Sequence, residues 1–399
     1  MVAQDDHVDA ESAAEALGIS RASLYAYVSR GLIRTRADEG DPRRKFYSLA
    51  DIETLQRRKA IGRSPGEAAA ATLDWGLPVL ASAITRIAAD GLFYRGRDAT
   101  RLAETATLEE CARLLWDCGE SDPFGEAAAL PEQWESSTLA QLSALPLVER
   151  CQALLPLVAA GRAVRWQRPT ARLWPGAAGL LRAMAAAACG CQPEDKPVHL
   201  YLAEKWGCDA QGAAAIRRAL VLLADHELNA SAFAVRVVAS TGASLGACLN
   251  AGLGALSGPL HGGMTSLVEL LFGEMARGGD VGQLVEARLR RGDGIPGFGH
   301  PLYPEGDPRA AAILKHIPAD PHRDAFVAAV ADATGKRPTV DVALVALRRA
   351  YGLPDGAALA IFAIGRTVGW IAHALEQGND ERLIRPRARY VGPEAQVGT

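Results

Sequence analysis

Beyond residue 62, apolar side chains recur at spacings of three and four, glycine and proline break the pattern into segments, and β-branched alternating runs are scarce. This periodicity predicts a body that is nearly all helix. Ala213 to Leu256 is dense in small apolar residues, which suits close helix packing at the centre of a large helical domain or at a dimer interface. The longest run without Asp, Glu, Lys or Arg, Val237 to Val268, is interrupted by Ser, Thr, Gly, Asn, Pro and His, so it reads as buried core rather than a membrane span. Residues 119–175 are rich in Ala, Pro and Leu and carry no motif, and no internal repeat is evident. The tail from Ile384 to Tyr390 is basic, and Pro386 keeps it extended.

The first 62 residues follow another pattern. Ala13, Ala14 and Leu17 have helical spacing within Ala10–Leu17, and Gly18 ends that helix. Ser20 is a good N-cap for a second helix from Arg21 to about Arg30, which Gly31 stops. Asp41-Pro42-Arg43-Arg44 makes a basic turn before Lys45-Phe46-Tyr47, a short strand, and Ser48 or Asp51 caps a third helix through Lys59. Helix, tight turn, helix, basic wing and helix is the layout of a winged helix-turn-helix.

Charge sharpens that division. The whole chain carries a formal net charge of -3, which excludes a general polyanion binder. Arg21 to Arg63 nevertheless holds eleven Lys or Arg against five Asp or Glu, a local footprint for phosphates. At 399 residues, 49% apolar and 22% charged, the chain can form two or three ordinary globular domains. Its seven cysteines are odd in number and include no Cys-x-x-Cys pair, which argues against a disulfide framework or zinc ribbon and for a reducing compartment. The acidic N-terminus lacks the apolar core of a signal peptide, so the expected location is cytoplasmic.

Three of the eight histidines stand in unusual settings. His261 lies in Gly258-Pro259-Leu260-His261-Gly262-Gly263, between pairs of helix breakers. His300 lies in Gly297-Phe298-Gly299-His300-Pro301, and His226 in Asp225-His226-Glu227-Leu228-Asn229, a polar cluster expected inside an otherwise apolar helical segment. Asp341 is a lone carboxylate at the start of an apolar helix after Arg337-Pro338. Arg309 follows Asp307-Pro308, and Arg366 sits in the apolar helix Phe362–Trp370, where a charge needs a partner. Taken singly, these are helix caps, loop residues or buried ion pairs. Taken together, they suit acid–base chemistry on an anionic substrate: one carboxylate base, neutral histidine donors and guanidiniums for carboxylates.

Two resemblances follow. Gly18-Ile19-Ser20-Arg21-Ala22-Ser23-Leu24-Tyr25 and the wing Arg43–Tyr47 resemble the DNA-binding domains of MerR-type regulators and excisionases. This implies DNA contacts from Arg21, Arg43, Arg44 and Lys45. Residues 75–395 resemble citrate synthase through seven ordered pieces: Gly91–Gly96, Ala224–Ser231, Gly258–Gly263, Pro296–His300 with Asp307-Pro308-Arg309, Thr339-Val340-Asp341, Gly365–Trp370 and Arg385-Pro386-Arg387. That resemblance implies a mainly α fold with a large domain (63–273 and 366–399) and a small one (274–365), after an N-terminal domain at 1–62. It implies that His261, His300 and Asp341 are catalytic. His226, Arg309 and Arg366 would bind oxaloacetate, joined by Arg385 reaching in from the partner subunit of a homodimer. No metal and no cofactor are implied, acetyl-CoA being a substrate. Met264-Thr265, Val342-Ala343, Pro301 and Pro304 depart from the family's usual residues, which leaves acyl-CoA preference and the CoA-phosphate ligands open. The expected activity is citrate synthesis. The alternatives are 2-methylcitrate synthesis from propionyl-CoA, or a DNA-binding regulator whose body senses metabolites.

Overall fold

The computed structural model describes residues 7–29, 32–37, 45–49, 51–52, 55, 80–88, 91–125, 134–159, 169–278, 280–380, 382–388 and 390–393. The chain divides into two compact units, Met1–Ala81 with Arg387–Thr399, and Ser82–Pro386.

The first unit contains β1 (His7–Val8), α1 (Ala10–Leu17), α2 (Arg21–Ser29), β2 (Thr35–Ala37) and β3 (Lys45–Ser48). Asp9 caps α1 by accepting from the Glu11 and Ser12 amides, Gly18 closes it in the left-handed conformation, and Ser20 Oγ accepts from the Ser23 amide to start α2. Both helices and β3 lie where the pattern predicts. The antiparallel order β1-β3-β2 adds two short strands that the sequence reading missed. Ala13, Leu17, Leu24, Ile33, Tyr47 and Ile52 form a small core. Arg34 grips both Asp51 oxygens, at 2.9 Å each. The expected basic turn with Arg43 and Arg44, the end of the second helix at Arg30 and Gly31, and most of the third helix lie outside the described residues.

The second unit opens with a three-stranded antiparallel sheet, β4 (Thr85–Ala88), β5 (Gly91–Tyr94) and β6 (Arg97–Asp98), in an otherwise helical body. The sheet is a local exception within a body expected to be nearly all helix. Its signal is local: Leu92 and Tyr94 are buried in alternation, and Arg95-Gly96 turns with positive φ at both residues. The helices follow as α3 (Ala99–Thr105), α4 (Leu108–Leu115), α5 (Ser136–Leu142), α6 (Leu147–Ala159), α7 (Trp174–Cys189), α8 (Val198–Trp206) and α9 (Ala210–Leu222). Then come α10 (Ala230–Ser240), α11 (Leu245–Leu256), α12 (Met264–Ala276), α13 (Val281–Arg290), α14 (Pro308–Leu314), α15 (Pro321–Thr334), α16 (Val340–Ala350) and α17 (Ala357–Gly378).

Helix α17 is the axis of this unit and packs against α4, α7, α9, α10, α11 and α16. It is long and apolar enough to cross a membrane, yet 94% of its most apolar window is buried inside the protein, as in a core helix. Close approach is built into its sequence. A Cβ on Gly369 would lie 2.2 Å from Asp225 Oδ1 and 2.5 Å from the Ala224 carbonyl, so only glycine lets α17 dock on the segment after α9.

Candidate active site

The turn after α9 carries His226. The sequence reading put Asp225–Asn229 inside a helix; the structure breaks the helix there. Glu227 adopts positive φ, and Asn229 Oδ1 accepts from the Ser231 and Ala232 amides as the N-cap of α10. A cap side chain competes with helix continuation, and here it wins. His226 is thereby lifted out of helical register, and its Nε2 lies 2.9 Å from Tyr303 Oη.

His300 stands beside this pair, its ring centroid 5.3 Å from His226 and 5.1 Å from Tyr303. Its segment is held by backbone pairing: the Gly299 amide donates to Arg337 O and the Thr339 amide to Gly297 O, both at 2.8 Å. A Cβ on Gly297, where φ is 81°, would strike Val268 and Val342 at 2.7 Å. The glycine therefore lets the His300 turn lie against the start of α16. His300 Nδ1 accepts from the Leu302 amide at 3.1 Å, which leaves Nε2 as the protonated nitrogen of the neutral ring.

Arg309 is buried in the first turn of α14 and forms a bidentate pair with Asp307 at 2.9 and 2.8 Å. Asp307 Oδ2 also accepts from the Val340 amide at 3.1 Å, tying this pair to the helix that carries Asp341. Burial pushes the Asp307 carboxyl up, but Arg309 outweighs it and holds the group below the ordinary range.

Asp341 lies in the first turn of α16. Its Oδ2 accepts from Thr339 Oγ1 at 3.0 Å, and its Oδ1 is enclosed without a partner. Burial pushes this carboxyl up to about 6, against the pull of Thr339 and Arg309.

His261 follows the end of α11, and its Nε2 lies 2.8 Å from Ser231 Oγ. That hydroxyl also receives Trp370 Nε1–H at 3.1 Å and lies 2.7 Å from Asn229 Oδ1. Ser231 Oγ donates its single proton to Asn229 Oδ1, which also holds the two amides, so one hydroxyl links His261, Trp370 and the N-cap of α10. The His261 and Phe362 rings meet at right angles, and Arg366 lies over the Phe362 ring at 5.2 Å. Arg366, on α17, is 1% exposed; Nε donates to Leu223 O at 3.0 Å, and Nη2 is buried with no partner. The buried ion pair that a lone Arg366 would call for is absent among the described residues. Burial lowers this guanidinium to about 10, against the pull of the Asp225 carboxylate and with the push of Arg309.

Electrostatics unite these groups. Burial and then Arg309, Arg366, His300 and His261 hold His226 well below its ordinary value. Burial with Arg366 lowers His261 to about 4, and burial with Arg309 lowers His300 to about 4. Three neutral imidazoles, one raised carboxyl and two buried guanidiniums therefore share one site. Ser231, Thr339 and Trp370 fall inside the quoted pieces but were given no role there, and Tyr303, three residues after His300, was not singled out. Arg385 is not gathered in: it is exposed on the extended segment after α17. Arg21 pairs with Glu11 at 2.9 Å on the exposed face of the first unit, and Lys45 is exposed at the start of β3.

Fold and site together describe a helical protein with an acid–base centre flanked by cationic anchors. The family profile described as citrate synthase, C-terminal domain, matches residues 72–387. Citrate synthase 2 of Bacillus subtilis is 30% identical over 355 residues, covering 80% of this chain and 95% of that protein. The 2-methylcitrate synthase of Shewanella oneidensis is 28% identical over 376 residues, covering 86% and 97%. The crystal structure of citrate synthase from Thermotoga maritima superposes with a TM-score of 0.65 at 28% identity, covering 80% of this chain and 95% of that one. The chain belongs to the citrate synthase family.

Proposed function

We propose that the protein condenses acetyl-CoA with oxaloacetate and water to give citrate and CoA. The observation that carries this reading is the buried Arg366 guanidinium, whose Nη2 has no hydrogen-bond partner among the described residues and which stands among neutral histidines. A buried cation in that state calls for an anionic ligand. Asp341 takes the α-proton of acetyl-CoA. His261 donates a hydrogen bond to the thioester oxygen as the enolate forms. The enolate carbon attacks the ketone carbon of oxaloacetate, whose oxygen His300 polarises through Nε2–H. Water then hydrolyses the thioester of the condensed product and releases CoA. His226, Arg309 and Arg366 hold the oxaloacetate carboxylates. All three imidazoles are neutral at working pH, so they act as hydrogen-bond donors. The reaction calls on no cofactor or metal, because the acyl thioester supplies the activation.

The working unit in this reading is a cytoplasmic homodimer in which the partner subunit's Arg385 completes the carboxylate pocket. Residues 63–273 with 366–399 form its large domain, and 274–365 a small domain that closes over substrate. Residues 1–62 form a winged helix-turn-helix that touches DNA through Arg21, Arg43, Arg44 and Lys45. The helix–turn–helix α1–α2 with the β2–β3 ribbon supports this, as does the local excess of positive charge. Similarity to a 2-methylcitrate synthase over 97% of its length supports a second acyl donor, propionyl-CoA. One methylene in an apolar pocket is worth only about 1–3 kcal/mol. The test is release of CoA from acetyl-CoA and from propionyl-CoA with oxaloacetate. Release strictly dependent on oxaloacetate supports the reading, and the ratio of kcat/KM values names the acyl donor. No release from either thioester overturns it.

A further inference from the structure

The helix that carries Arg366 also carries a second buried polar group, His373, two turns further on. His373 is 0% exposed. Its Nδ1 accepts from Arg236 Nε at 3.0 Å, so the ring proton sits on Nε2. Nε2 lies 3.3 Å from Oδ1 of Asp225, a carboxylate that is also 0% exposed and immediately precedes His226. Arg236 is anchored in turn by Glu376 and Gln377 of the same helix.

Asp225 grips the His226 turn from within: its Oδ2 accepts from the Glu227 amide at 3.0 Å, on the far side of His226. Tyr94 Oη donates to the Asp225 carbonyl at 3.2 Å. The same turn is stitched to α17 by two further bonds, Arg366 Nε to Leu223 O at 3.0 Å and the Gly369 amide to Ala224 O at 2.8 Å. His226 and Arg366 are therefore registered against each other through one short stretch of backbone. At the end of that stretch, Asp225 is held by His373.

We infer that His373 is a positioning residue for oxaloacetate, acting through Asp225 to hold the His226 turn against the helix that carries Arg366. This rests on the assignment of His226 and Arg366 to the oxaloacetate carboxylates. A packing role alone does not account for the arrangement. A buried Arg–imidazole–carboxylate chain costs more to assemble than apolar side chains of the same volume. The Arg236–His373 bond and the 3.3 Å approach of His373 Nε2 to Asp225 Oδ1 instead hold the turn in one register. Neither His373 nor Asp225 touches substrate in this assignment, so removing the link acts on oxaloacetate and not on the thioester.

The experiment compares His373→Ala, His373→Gln and His373→Asn in the full-length enzyme by separate KM measurements for oxaloacetate and acetyl-CoA. Losing a close contact with a buried carboxylate should raise the oxaloacetate KM about tenfold in His373→Ala, with the acetyl-CoA KM within about twofold of wild type. The Gln amide offers an acceptor and a donor as far apart as the two ring nitrogens, so His373→Gln should recover most of the loss, and His373→Asn, being shorter, should not. Unchanged kinetics, or equal changes in both KM values, overturns the inference. If His373→Ala does not fold, the Gln and Asn variants decide it: equal oxaloacetate KM values in the two overturn it. Wild-type turnover and an Arg366→Lys control test the underlying assignment separately. An inactive wild type, or an Arg366→Lys enzyme with unchanged oxaloacetate KM, removes that assignment whatever His373 does.

Discussion

Thr339 donates its hydroxyl to one oxygen of Asp341 at 3.0 Å and leaves the other oxygen enclosed and unpartnered. The carboxylate is thus oriented by one bond and, among the described residues, not neutralised by an ion pair, which keeps it basic enough to take a proton. In Asp341→Asn the shape survives and the base is lost. Turnover should fall by about a hundred- to ten-thousand-fold while oxaloacetate still binds. Near wild-type turnover of the purified variant sinks the assignment.

The same carboxyl sets a pH dependence. With Asp341 pushed up to about 6, kcat should fall as pH drops through that value. His261 and His300, lowered to about 4, stay neutral across that range and add no limb there. Stability has the opposite sign. The folded protein holds the Asp341 proton more tightly than the unfolded chain, so this group's contribution is fully present below the ordinary carboxyl value of 3.8 and is lost as pH rises to about 6. Asp341→Asn should therefore be more stable than wild type at neutral pH, by at most about 3 kcal/mol. Thr339→Val should move the acid limb of kcat to higher pH. Denaturant unfolding and rate profiles between pH 4 and 8 check both; an acid limb unmoved in Thr339→Val removes the role given to that bond.

Asp307 joins Arg309 to the amide of Val340, one residue before Asp341. Asp307→Asn should leave a buried guanidinium without its counter-charge and cost about 3–5 kcal/mol of stability. It should also raise the oxaloacetate KM. Urea unfolding measures the first effect and steady-state kinetics the second. A variant as stable as wild type contradicts the burial argument.

If the partner subunit's Arg385 completes the site, then Arg385→Ala and His261→Ala should each be inactive as homodimers. In a mixed dimer one site bears both lesions and the other neither. Activity should return when the two proteins are mixed under subunit exchange. Demonstrated exchange without recovered activity rules out a shared site of this kind.

The basic N-terminal unit predicts salt-dependent DNA retention, each phosphate contact adding about −0.9 to the slope of log affinity against log salt. Arg43→Ala with Arg44→Ala should weaken binding to all DNA sequences and flatten the slope. Deleting residues 1–62 should leave CoA release nearly intact. No DNA retention at low salt, or loss of catalysis in a folded truncation, overturns this assignment.

The chain's own pattern determined the helical body, the breakers around His261 and His300, the placement of Asp341 in the first turn of α16, and α1, α2 and β3 near the N-terminus. These are local matters: periodicity, caps and glycine freedom act within a few residues. The hairpin around Arg95-Gly96 and the helix break at Asp225–Asn229 were written locally too, but helical propensity on either side masked them. The rest belonged to the tertiary structure. Whether Arg366 has a partner depends on Leu223, 143 residues away. Whether Asp341 is basic depends on how completely the fold encloses it. The links of His261 to Ser231, of Ser231 to Trp370, and of Asp225 to His373 join residues 30, 139 and 148 positions apart. Burial and long-range hydrogen bonds set proton affinity, and neither is a property of a segment by itself.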